Sequence, residues 1–519
     1  MQPECRDFAN KRIWRPEVLV PAAVGLLALL PIAILSGGCR PSKPSGAPTK
    51  PHAGTTVRIA VPENAILKSM LERQGGAWSD RSGAKIELIQ ANSSDADVYF
   101  YAPAEMPRLV EEKKLQQIPL GSLNSGAFEF GSILRPLRLR LSDWQGSTYG
   151  LPMIGGAFIL VFRSDLLSDP KHLAAINKRL KSPFKPDGVW TWQQVAVIAE
   201  HFSSTSPWSD GSIEQLPRPA LPPLPSNPAD FDFEFHSVAA PFRRMAVSQE
   251  RVDKLTEEER FWDLYDYQLD GRTGDIRIAD PGFVAALRYL QQIQKYRGSF
   301  AEKMRPADAI RTGKAVVAIV PLADLAVLQA SSSPVRNKIG VAGLPGSSIL
   351  IRGKGEEQPV EGEGNFVPYL GAAGWFAGLG AKANNIPAAL DLILNLAGRD
   401  MCLEIAFEPA WGSGPTRHIH YELANRSGWH AYGLGTQGTN QLLAALERGV
   451  NPSAINPAYR VRLPNSEKYM QVFAERLRPA IERSESPTAA LQDVARQWLA
   501  IDPDANLRRS LYRRSIGLE

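Results

Sequence analysis

Apolar residues occur along this chain in two alternating patterns. Three short apolar runs, at residues 55–61, 85–89 and 97–101, are rich in Val, Ile, Leu and Tyr, and each predicts a strand. The stretch between the first two runs repeats its apolar residues at helical spacing, at Leu67, Met70, Leu71 and Trp78. Strands that alternate with helices predict an α/β fold with a parallel sheet.

A further apolar run, residues 157–162 (AFILVF), follows Pro152 and the pair Gly155-Gly156. Its wholly apolar composition predicts a strand that is buried on both faces. Since glycine absorbs changes of φ and ψ at little steric cost, the segment before this strand suits a crossing between two rigid bodies. An ordinary loop before a core strand is the alternative explanation.

Helix signals follow in the rest of the chain. Thr191 and Gln194 have the spacing of a capping box, and Asp280-Pro281 is a cap followed by Pro at the first helical position. Apolar repeats predict further helices at residues 385–397, 469–481 and 486–498.

The segment at residues 203–238 departs from these patterns. Its centre, residues 216–228 (LPRPALPPLPSNP), is dense in proline and predicts an extended chain. A partner-recognition segment has this composition, but an inserted surface loop is the more common structure. We therefore expect a proline-rich insertion.

The N-terminus has the pattern of an export signal. Basic residues precede the apolar residues 18–35, and Ser36-Gly37-Gly38-Cys39 follows. Small residues before a cysteine resemble the lipobox of bacterial lipoproteins, although Ser36 stands where Leu is usual. The resemblance implies that residues 1–38 are a signal peptide and that Cys39 is lipidated. An uncleaved membrane anchor is the alternative; both place the rest of the chain outside the cytoplasmic membrane.

The following segment and the overall composition agree with an exported, tethered domain. Residues 39–54 are rich in Pro, Ser, Gly and Lys, which predicts a flexible tether. The net charge of +5 is too small for a chain of 519 residues to indicate nucleic-acid binding. If Cys5 leaves with the signal and Cys39 is lipidated, Cys402 has no disulfide partner and is expected to be buried and inert.

No catalytic or cofactor-binding pattern stands out, so we expect neither an enzyme nor a cofactor. His418-x-His420 could hold a metal on a strand, but no third ligand follows at a suitable spacing, and we expect no metal site. Gly433-x-Gly435-x-x-Gly438 matches a dinucleotide fingerprint, but no strand pattern precedes it, which favours a flexible loop.

Several weak motifs occur in the order found in one family. The motifs resemble those of extracellular solute-binding proteins of the maltose-binding-like group. They are Tyr149-Gly150-Leu151-Pro152 with the strand that follows, the helix start at residues 191–194, and the segments at residues 310–321, 339–345, 369–379, 411–417 and 486–498. No single motif is specific, but their order is fairly specific for the fold. The resemblance covers about residues 55–500.

This resemblance implies a two-lobed α/β fold, the type 2 periplasmic binding protein fold, with a ligand cleft between the lobes. It implies crossings near residues 152–156, 320–323 and 370–375. The corresponding division assigns residues 55–153 and 322–371 to lobe 1, and residues 154–321 and 372–519 to lobe 2.

Candidate ligand-binding residues come from two considerations. Ligands of open α/β sheets sit beyond the carboxyl ends of the strands, which points to Glu63, Tyr101 and Glu105. Sugars need aromatic faces and polar partners, and the family resemblance places Trp375, Trp411 and Arg417 for these roles, although core packing is an almost equally good explanation of either tryptophan. The predicted hinge residues are Gly155, Gly156, Pro321 and Gly374.

The resemblance also implies a function. The chain is expected to be a monomer that captures a small solute, a sugar or oligosaccharide by family resemblance, for an ABC-type import permease. Its expected location is the periplasm or the cell surface. The alternative is a non-transporting sensor or scaffold that binds a partner protein, and an exported hydrolase is a distant third because no catalytic constellation is visible.

Overall fold

A computed structural model describes residues 50–180, 183–204, 218–299 and 303–518. The predicted signal peptide, Cys39 and the first part of the tether lie outside these residues, as does the start of the proline-rich segment. Within the described ranges, no helix has the length and apolar character needed to span a membrane.

The strands form two principal sheets. The first sheet has the order β2-β1-β3-β13-β6, in which β1 pairs in parallel with β2 and β3 as the sequence predicts, and β13 runs antiparallel to β3 and β6. The second sheet has the order β8-β7-β9, and both outer strands are antiparallel to β7. The strands are β1 (Thr56–Val61), β2 (Lys85–Gln90), β3 (Val98–Tyr101), β4 (Asp143–Trp144), β5 (Ser147–Thr148), β6 (Leu151–Gly155), β7 (Phe158–Arg163), β8 (Val317–Pro321), β9 (Ile339–Ala342), β10 (Ile349–Arg352), β11 (Glu356–Pro359), β12 (Tyr369–Leu370), β13 (Gly374–Leu379) and β14 (Ala458–Tyr459).

Helices cover these sheets and form much of the C-terminal part of the chain. The predicted capping box is confirmed, because the Thr191 hydroxyl accepts from the Gln194 amide N–H, and the Thr191 N–H donates to the Gln194 side chain. The helices are α1 (Ala65–Met70), α2 (Gly76–Ser82), α3 (Met106–Glu111), α4 (Leu120–Leu123), α5 (Ser164–Leu167), α6 (Pro170–Asn177), α7 (Trp192–Ser203), α8 (Pro228–Arg243), α9 (Glu257–Arg260), α10 (Pro281–Gln294), α11 (Pro306–Arg311), α12 (Asp324–Leu328), α13 (Ile386–Leu396), α14 (Arg399–Ala406), α15 (Thr436–Val450), α16 (Ser466–Glu482), α17 (Pro487–Ile501) and α18 (Ala505–Ser515).

Strand β7 is buried on both faces, as its apolar sequence predicts. Leu160 and Phe162 belong to a large core that extends through the first sheet and the C-terminal helices. Ile159 and Val161 belong to a second core, in which α11, α12 and α15 also bury apolar residues. Because successive side chains of a strand point to opposite faces, this one strand contributes to two separate cores.

The chain passes from the first sheet to the second at residues 155–158, between β6 and β7. It does not cross at residues 320–323, because β8 and β9 both pair with β7. Strand pairing therefore places no crossing between the two sheets at these residues, and the hinge role of Pro321 stays a prediction. The chain returns to the first sheet between β9 and β13.

Strand pairing also corrects the predicted lobe division. Strand β9 lies in residues 322–371 but belongs to the second sheet, and β13 lies in residues 372–519 but belongs to the first. The order of motifs along the chain does not show which edge of a sheet a strand joins, since that depends on hydrogen-bond partners distant in sequence.

The described part of the proline-rich segment is not a surface loop. Residues 218–224 are largely buried, and their backbone bonds to two neighbouring segments: the N–H groups of Ala220 and Leu221 donate to the Tyr296 carbonyl, and the Val316 N–H donates to the Ala220 carbonyl. The segment then continues into α8, which is buried along most of its length. The expectation of a surface insertion is therefore wrong for these residues, because proline removes N–H donors but leaves carbonyl acceptors and apolar rings to pack.

Helix α8 packs on α10, α16, β10 and β12, and carries part of a buried polar network. Asp232 accepts hydrogen bonds from the Arg460 guanidinium at 2.9 Å and from the Tyr369 hydroxyl at 3.0 Å. His236 lies one turn further along α8 and contacts the Tyr267 hydroxyl at 3.1 Å. Burial lowers the pKa of His236 to about 4, so the ring is neutral at physiological pH.

Candidate functional site

The structure does not bring the predicted ligand-binding residues together. Glu63 is exposed and pairs with Lys68 at 2.5 Å, and Glu105 pairs with Arg108 at 3.1 Å. Tyr101 is buried within the first sheet, where its hydroxyl donates to the Tyr149 carbonyl at 3.3 Å. Burial raises the pKa of Tyr101, so its hydroxyl remains protonated as a structural donor.

The predicted residues near the C-terminal motifs are also mainly structural. Trp411 is 4% exposed, and its indole N–H donates to the Ser69 hydroxyl at 3.2 Å. Arg417 is 1% exposed, and it donates to the carbonyls of Ala397 at 2.9 Å and Glu129 at 3.0 Å. These contacts take up the indole N–H of Trp411 and the Nε and Nη1 atoms of Arg417, and the ligand-binding roles of both residues stay predictions.

Trp375 is the exception, since it is only half-buried where β13 begins. It stands beside Gly374 and pairs with Ile154 of β6, next to the crossing. It does not line any of the cavities described below. A role for Trp375 in ligand binding therefore stays a prediction.

Glycines make the crossing unusually close-packed. The Gly414 N–H donates to the Gly155 carbonyl at 2.8 Å, and a Cβ on Gly155 would overlap the Gly414 carbonyl. A Cβ on Gly156 would likewise overlap Ala373. Gly374 has a φ of +96°, a backbone conformation that residues other than glycine rarely adopt. These contacts explain why three of the predicted hinge positions are glycine. Their hinge motion stays a prediction.

A cavity of about 50 Å³ lies at this crossing. Its lining is apolar, and it includes Gly155, Gly156 and Phe158 from the crossing together with Phe233 of α8. The rings of Phe158 and Phe233 stack with their centroids 3.8 Å apart. This cavity has room for one or two waters but not for a sugar.

A larger cavity, of about 350 Å³, lies next to it. One wall is formed by residues 134–140, in the chain that precedes β6. The opposite wall begins at Val450, the last residue of α15, and helix α15 packs on β7 and β9 of the second sheet. The cavity is thus lined by segments associated with both sheets. Its volume falls within the range of about 300–1,000 Å³ that is typical of small-molecule sites. The remaining lining residues are His418, Pro452, Ala454, Ile455, Pro457 and Tyr459.

A π-helical turn, Leu137–Leu141, separates the two cavities. Its Leu137 and Leu141 line the small cavity, whereas Arg138, Leu139 and Arg140 line the large one. Leu137 and Leu141 belong to the main core, which anchors the turn and directs the intervening side chains away from it. This anchoring is how the local sequence places arginine side chains in the larger cavity.

Positive charge dominates the larger cavity. Arg135, Arg138 and Arg140 line it, and Tyr459 contributes an aromatic ring. Burial raises the pKa of Tyr459 to about 12, while the charges of Arg135, Arg140 and two further arginines oppose this rise. A group that enters here meets guanidinium donors and an aromatic wall.

None of these residues belongs to a motif that points to a binding site in the sequence. Their signal is the stretch LRPLRLRL at residues 134–141, where arginines interrupt an apolar pattern a few residues before the Tyr149-Gly150 motif. Partners at residues 450–459 are more than 300 positions away, and no sequence pattern connects the two segments.

The remaining sequence candidates have structural or surface positions. His420 is buried and bonds to the carbonyls of Arg417 and Cys402, so His418 and His420 do not form a pair of free ligands. Gly435 precedes α15, and a 3₁₀ helix rather than a strand stands before it. Cys402 is buried as expected, and burial raises the pKa of its thiol to about 12, which keeps it unreactive.

Comparison with known proteins identifies relatives for most of the chain. The family model of bacterial extracellular solute-binding proteins matches residues 71–424. No curated protein sequence matches the chain.

Solved structures share its fold at low sequence identity. Maltose-bound MalE3 of T. maritima is 17% identical, with a TM-score of 0.57 over 85% of this chain and 98% of its own. The sugar-binding protein MalE of Xanthomonas citri is 14% identical, with a TM-score of 0.58 over 90% and 100%. An ABC transporter solute-binding protein of Agrobacterium vitis with bound D-mannitol is 13% identical, with a TM-score of 0.56 over 85% and 97%. These likenesses confirm the predicted two-lobed periplasmic binding protein fold.

Proposed function

The chain belongs to the bacterial extracellular solute-binding proteins, and on this premise we propose that it captures a sugar or sugar-like solute for an ABC-type import permease. The structural neighbours that hold maltose and D-mannitol, and the one described as sugar-binding, support this class of solute. The binding site would be the larger cavity, between residues 134–140 and 450–459.

The observation that carries this proposal is the position of that cavity. It is lined from segments associated with both sheets, and it adjoins the glycine-rich crossing between them. A solute held there would contact both bodies of the protein, so its binding would favour one relative arrangement of the two. The permease would then distinguish the loaded protein from the empty one.

The family acts outside the cytoplasm, which agrees with the expected location at the periplasm or cell surface. We propose that a lipid on Cys39 holds the chain at the membrane, that the protein is a monomer, and that it performs no catalysis. The pattern Ser36-Gly37-Gly38-Cys39 supports the anchor.

We expect the mass of the native N-terminal peptide to show that the mature chain begins at a lipid-modified Cys39. The measurement is mass spectrometry of the protein extracted from its own membrane. A native chain that still begins at Met1 would contradict both cleavage and lipidation at this site.

Solute capture predicts saturable binding to the full chain. We expect heat of binding with at least one compound among maltose, mannitol, glucuronate and glucose 6-phosphate, measured by titration calorimetry in detergent. The variant Leu139→Trp should weaken that binding at least tenfold, because a larger ring at the cavity wall takes up space that the solute needs. Leu139 is 42% exposed, so the protein should tolerate the change.

Leu120→Trp is the matched control, because Leu120 is 59% exposed and lines none of the cavities described above. The control should bind as the unaltered protein does. Equal affinity of both variants for the solute would show that the larger cavity is not the binding site. Absence of binding to all four compounds would contradict capture of a sugar-type solute.

A second candidate function, a sensor or scaffold that binds a partner protein, has one observation in its favour. Phe233 of α8 stacks on Phe158 at the crossing, where the remaining cavity is only about 50 Å³. Residue 233 lies within the segment that was predicted to be an insertion. If the calorimetric titrations show no solute binding, this partner-binding function becomes the better explanation of the fold.

A further inference from the structure

We propose that the solute carries an anionic group, a carboxylate or a phosphate on a sugar, and that Arg135, Arg138 and Arg140 bind this group in the larger cavity. This inference rests on the proposed function, since it specifies the chemical class of the captured solute. It follows from the charge, the pairing and the surroundings of these three arginines.

The first observation is the composition of the cavity wall. Among its lining residues are three arginines and His418, and none of those lining residues is an aspartate or glutamate. Sites that bind neutral sugars need both acceptors and donors, because each hydroxyl can donate as well as accept. A wall whose charged groups are all guanidinium donors complements an acceptor-only ligand group, which is what an ionised carboxylate or phosphate is.

The second observation is that these arginines have no acidic partner in the part of the chain that the structure describes. Within the described ranges, no carboxylate lies at ion-pair distance from Arg135, Arg138 or Arg140. Arg135 reaches only the Gln249 side-chain oxygen at 3.4 Å, and Arg138 lies over the Phe130 ring at 5.8 Å. By contrast, Arg460 forms an ion pair with Asp232 at 2.8 Å.

Arg138 has a further sign of an unmet interaction. Its Nε atom is buried and has no hydrogen-bond partner among the described residues. A buried donor without a partner costs free energy, and the described residues offer the Arg138 guanidinium no carboxylate that would offset this cost. Burial raises the pKa of Asp143, and the charge of Arg140 is one of the smaller effects that oppose this rise, but Asp143 does not line the cavity.

The third observation is positive charge immediately behind the wall. A smaller cavity of about 40 Å³ shares Arg140 and Tyr459 with the larger one, and Arg244 and Arg462 line it. Arg244 is held by the carbonyls of Asn456, Pro457 and Asp266, not by a carboxylate.

Arg462 is held in the same way, by main-chain carbonyls that include those of Asp143 and Arg140. Burial lowers the pKa of Arg462 to about 10, so it keeps its charge at neutral pH. Carbonyl oxygens orient a guanidinium but leave its net charge uncompensated. The field of these two buried groups therefore adds to that of the arginines on the wall and favours an anion in the cavity.

The rest of the lining suits the sugar part of such a solute. Tyr459, Pro457 and Ile455 provide aromatic and aliphatic surface on the wall opposite residues 134–140. Sugar C–H groups pack on such surfaces, while a planar guanidinium can bind two oxygens of one carboxylate or phosphate. One wall thus binds the charge and the other packs on the ring.

The test compares matched neutral and acidic sugars on the full chain by titration calorimetry. The pairs are glucose with glucuronate, glucose with glucose 6-phosphate, and maltose with maltobionate. We expect at least one acidic member to bind at least tenfold more tightly than its neutral partner, and this preference should fall as salt rises. Comparison of the affinities for glucuronate and glucose 6-phosphate shows whether the site binds a carboxylate or a phosphate.

The variant Arg138→Gln should reduce the affinity for the acidic sugar by about ten- to a hundredfold, the factor that follows from loss of one hydrogen bond to a charged group. Arg138→Lys should retain part of the preference, because it keeps the charge and loses the planar fork. Arg483→Gln is the control: it removes the same charge from a side chain that is 74% exposed and lines none of these cavities.

The outcomes separate the two proposals. If a neutral sugar binds as tightly as its acidic partner, the anionic class is wrong and solute capture stands. If acidic sugars bind preferentially but Arg138→Gln and Arg483→Gln weaken them equally, the assignment to this cavity is wrong. If no sugar of either kind binds, both the anionic class and the proposed function fail.

Discussion

Replacing Asp232 by alanine is expected to destabilise the protein by about 3–5 kcal/mol, the cost of removing one partner of a buried ion pair. Asp232 is 4% exposed and Arg460 is 8% exposed, so water cannot replace the lost carboxylate. The Tyr369 hydroxyl loses its acceptor as well. Denaturant unfolding of the full chain, followed by tryptophan fluorescence, measures the change.

The effect should extend to the crossing, because Arg460 also donates to the Ala372 carbonyl at 3.2 Å. Ala372 lies beside the small cavity, between β12 and β13. Without Asp232 to hold its guanidinium, Arg460 no longer fixes that segment. Hydrogen exchange at residues 370–374 should therefore increase in the variant.

Asp493→Ala is the matched control, because Asp493 pairs with Arg476 and Arg496 near the surface and is 30% exposed. It should cost no more than about 1 kcal/mol. The double replacement Asp232→Leu with Arg460→Met removes both charges together and should recover much of the loss. A loss below about 1 kcal/mol for Asp232→Ala would contradict the importance of this network.

Trp411→Ala is expected to cost about 3–5 kcal/mol of stability while leaving solute affinity unchanged, since large aromatic truncations in a core have costs of this size. Trp411 packs against α1 and bonds to Ser69, and the Arg73 guanidinium lies 5.3 Å from its ring centroid. These contacts join the chain after α14 to the helices of the first sheet. Denaturant unfolding and titration calorimetry on the same preparation separate the two effects.

Leu423→Ala serves as the control for this variant, because Leu423 is an apolar residue that is 76% exposed. Its loss should change stability by less than about 0.5 kcal/mol. A Trp411→Ala protein with near-normal stability and weakened solute binding would show that Trp411 is part of the binding site, as the family resemblance implies.

Local sequence patterns were enough to predict the elements, and the resemblance of the ordered motifs to one family implied the two-lobed fold. The short apolar runs at residues 55–61 and 85–89 became β1 and β2, and the apolar run at residues 157–162 became the doubly buried β7. The capping box at Thr191 and Gln194 formed as its spacing predicts. Each of these features depends on neighbours within a few residues, so the chain itself contains the necessary information.

The residues of the site could not be predicted in this way. A buried tryptophan and one in a cleft look alike in sequence, because aromatic residues serve both places, and Trp411 proved to be buried. Likewise, the pattern of residues 216–228 showed an extended chain but not the buried path that residues 218–224 follow.

The larger cavity shows the physical reason most clearly. The arginines of residues 134–140 and the wall at residues 450–459 are remote in sequence, and they meet only because α15 packs on the second sheet while the other segment precedes a strand of the first. Local propensity specifies the hydrogen bonds of a helix or strand. The meeting of two distant surfaces depends instead on burial and charge summed over the whole packed chain, so it exists only in the folded molecule.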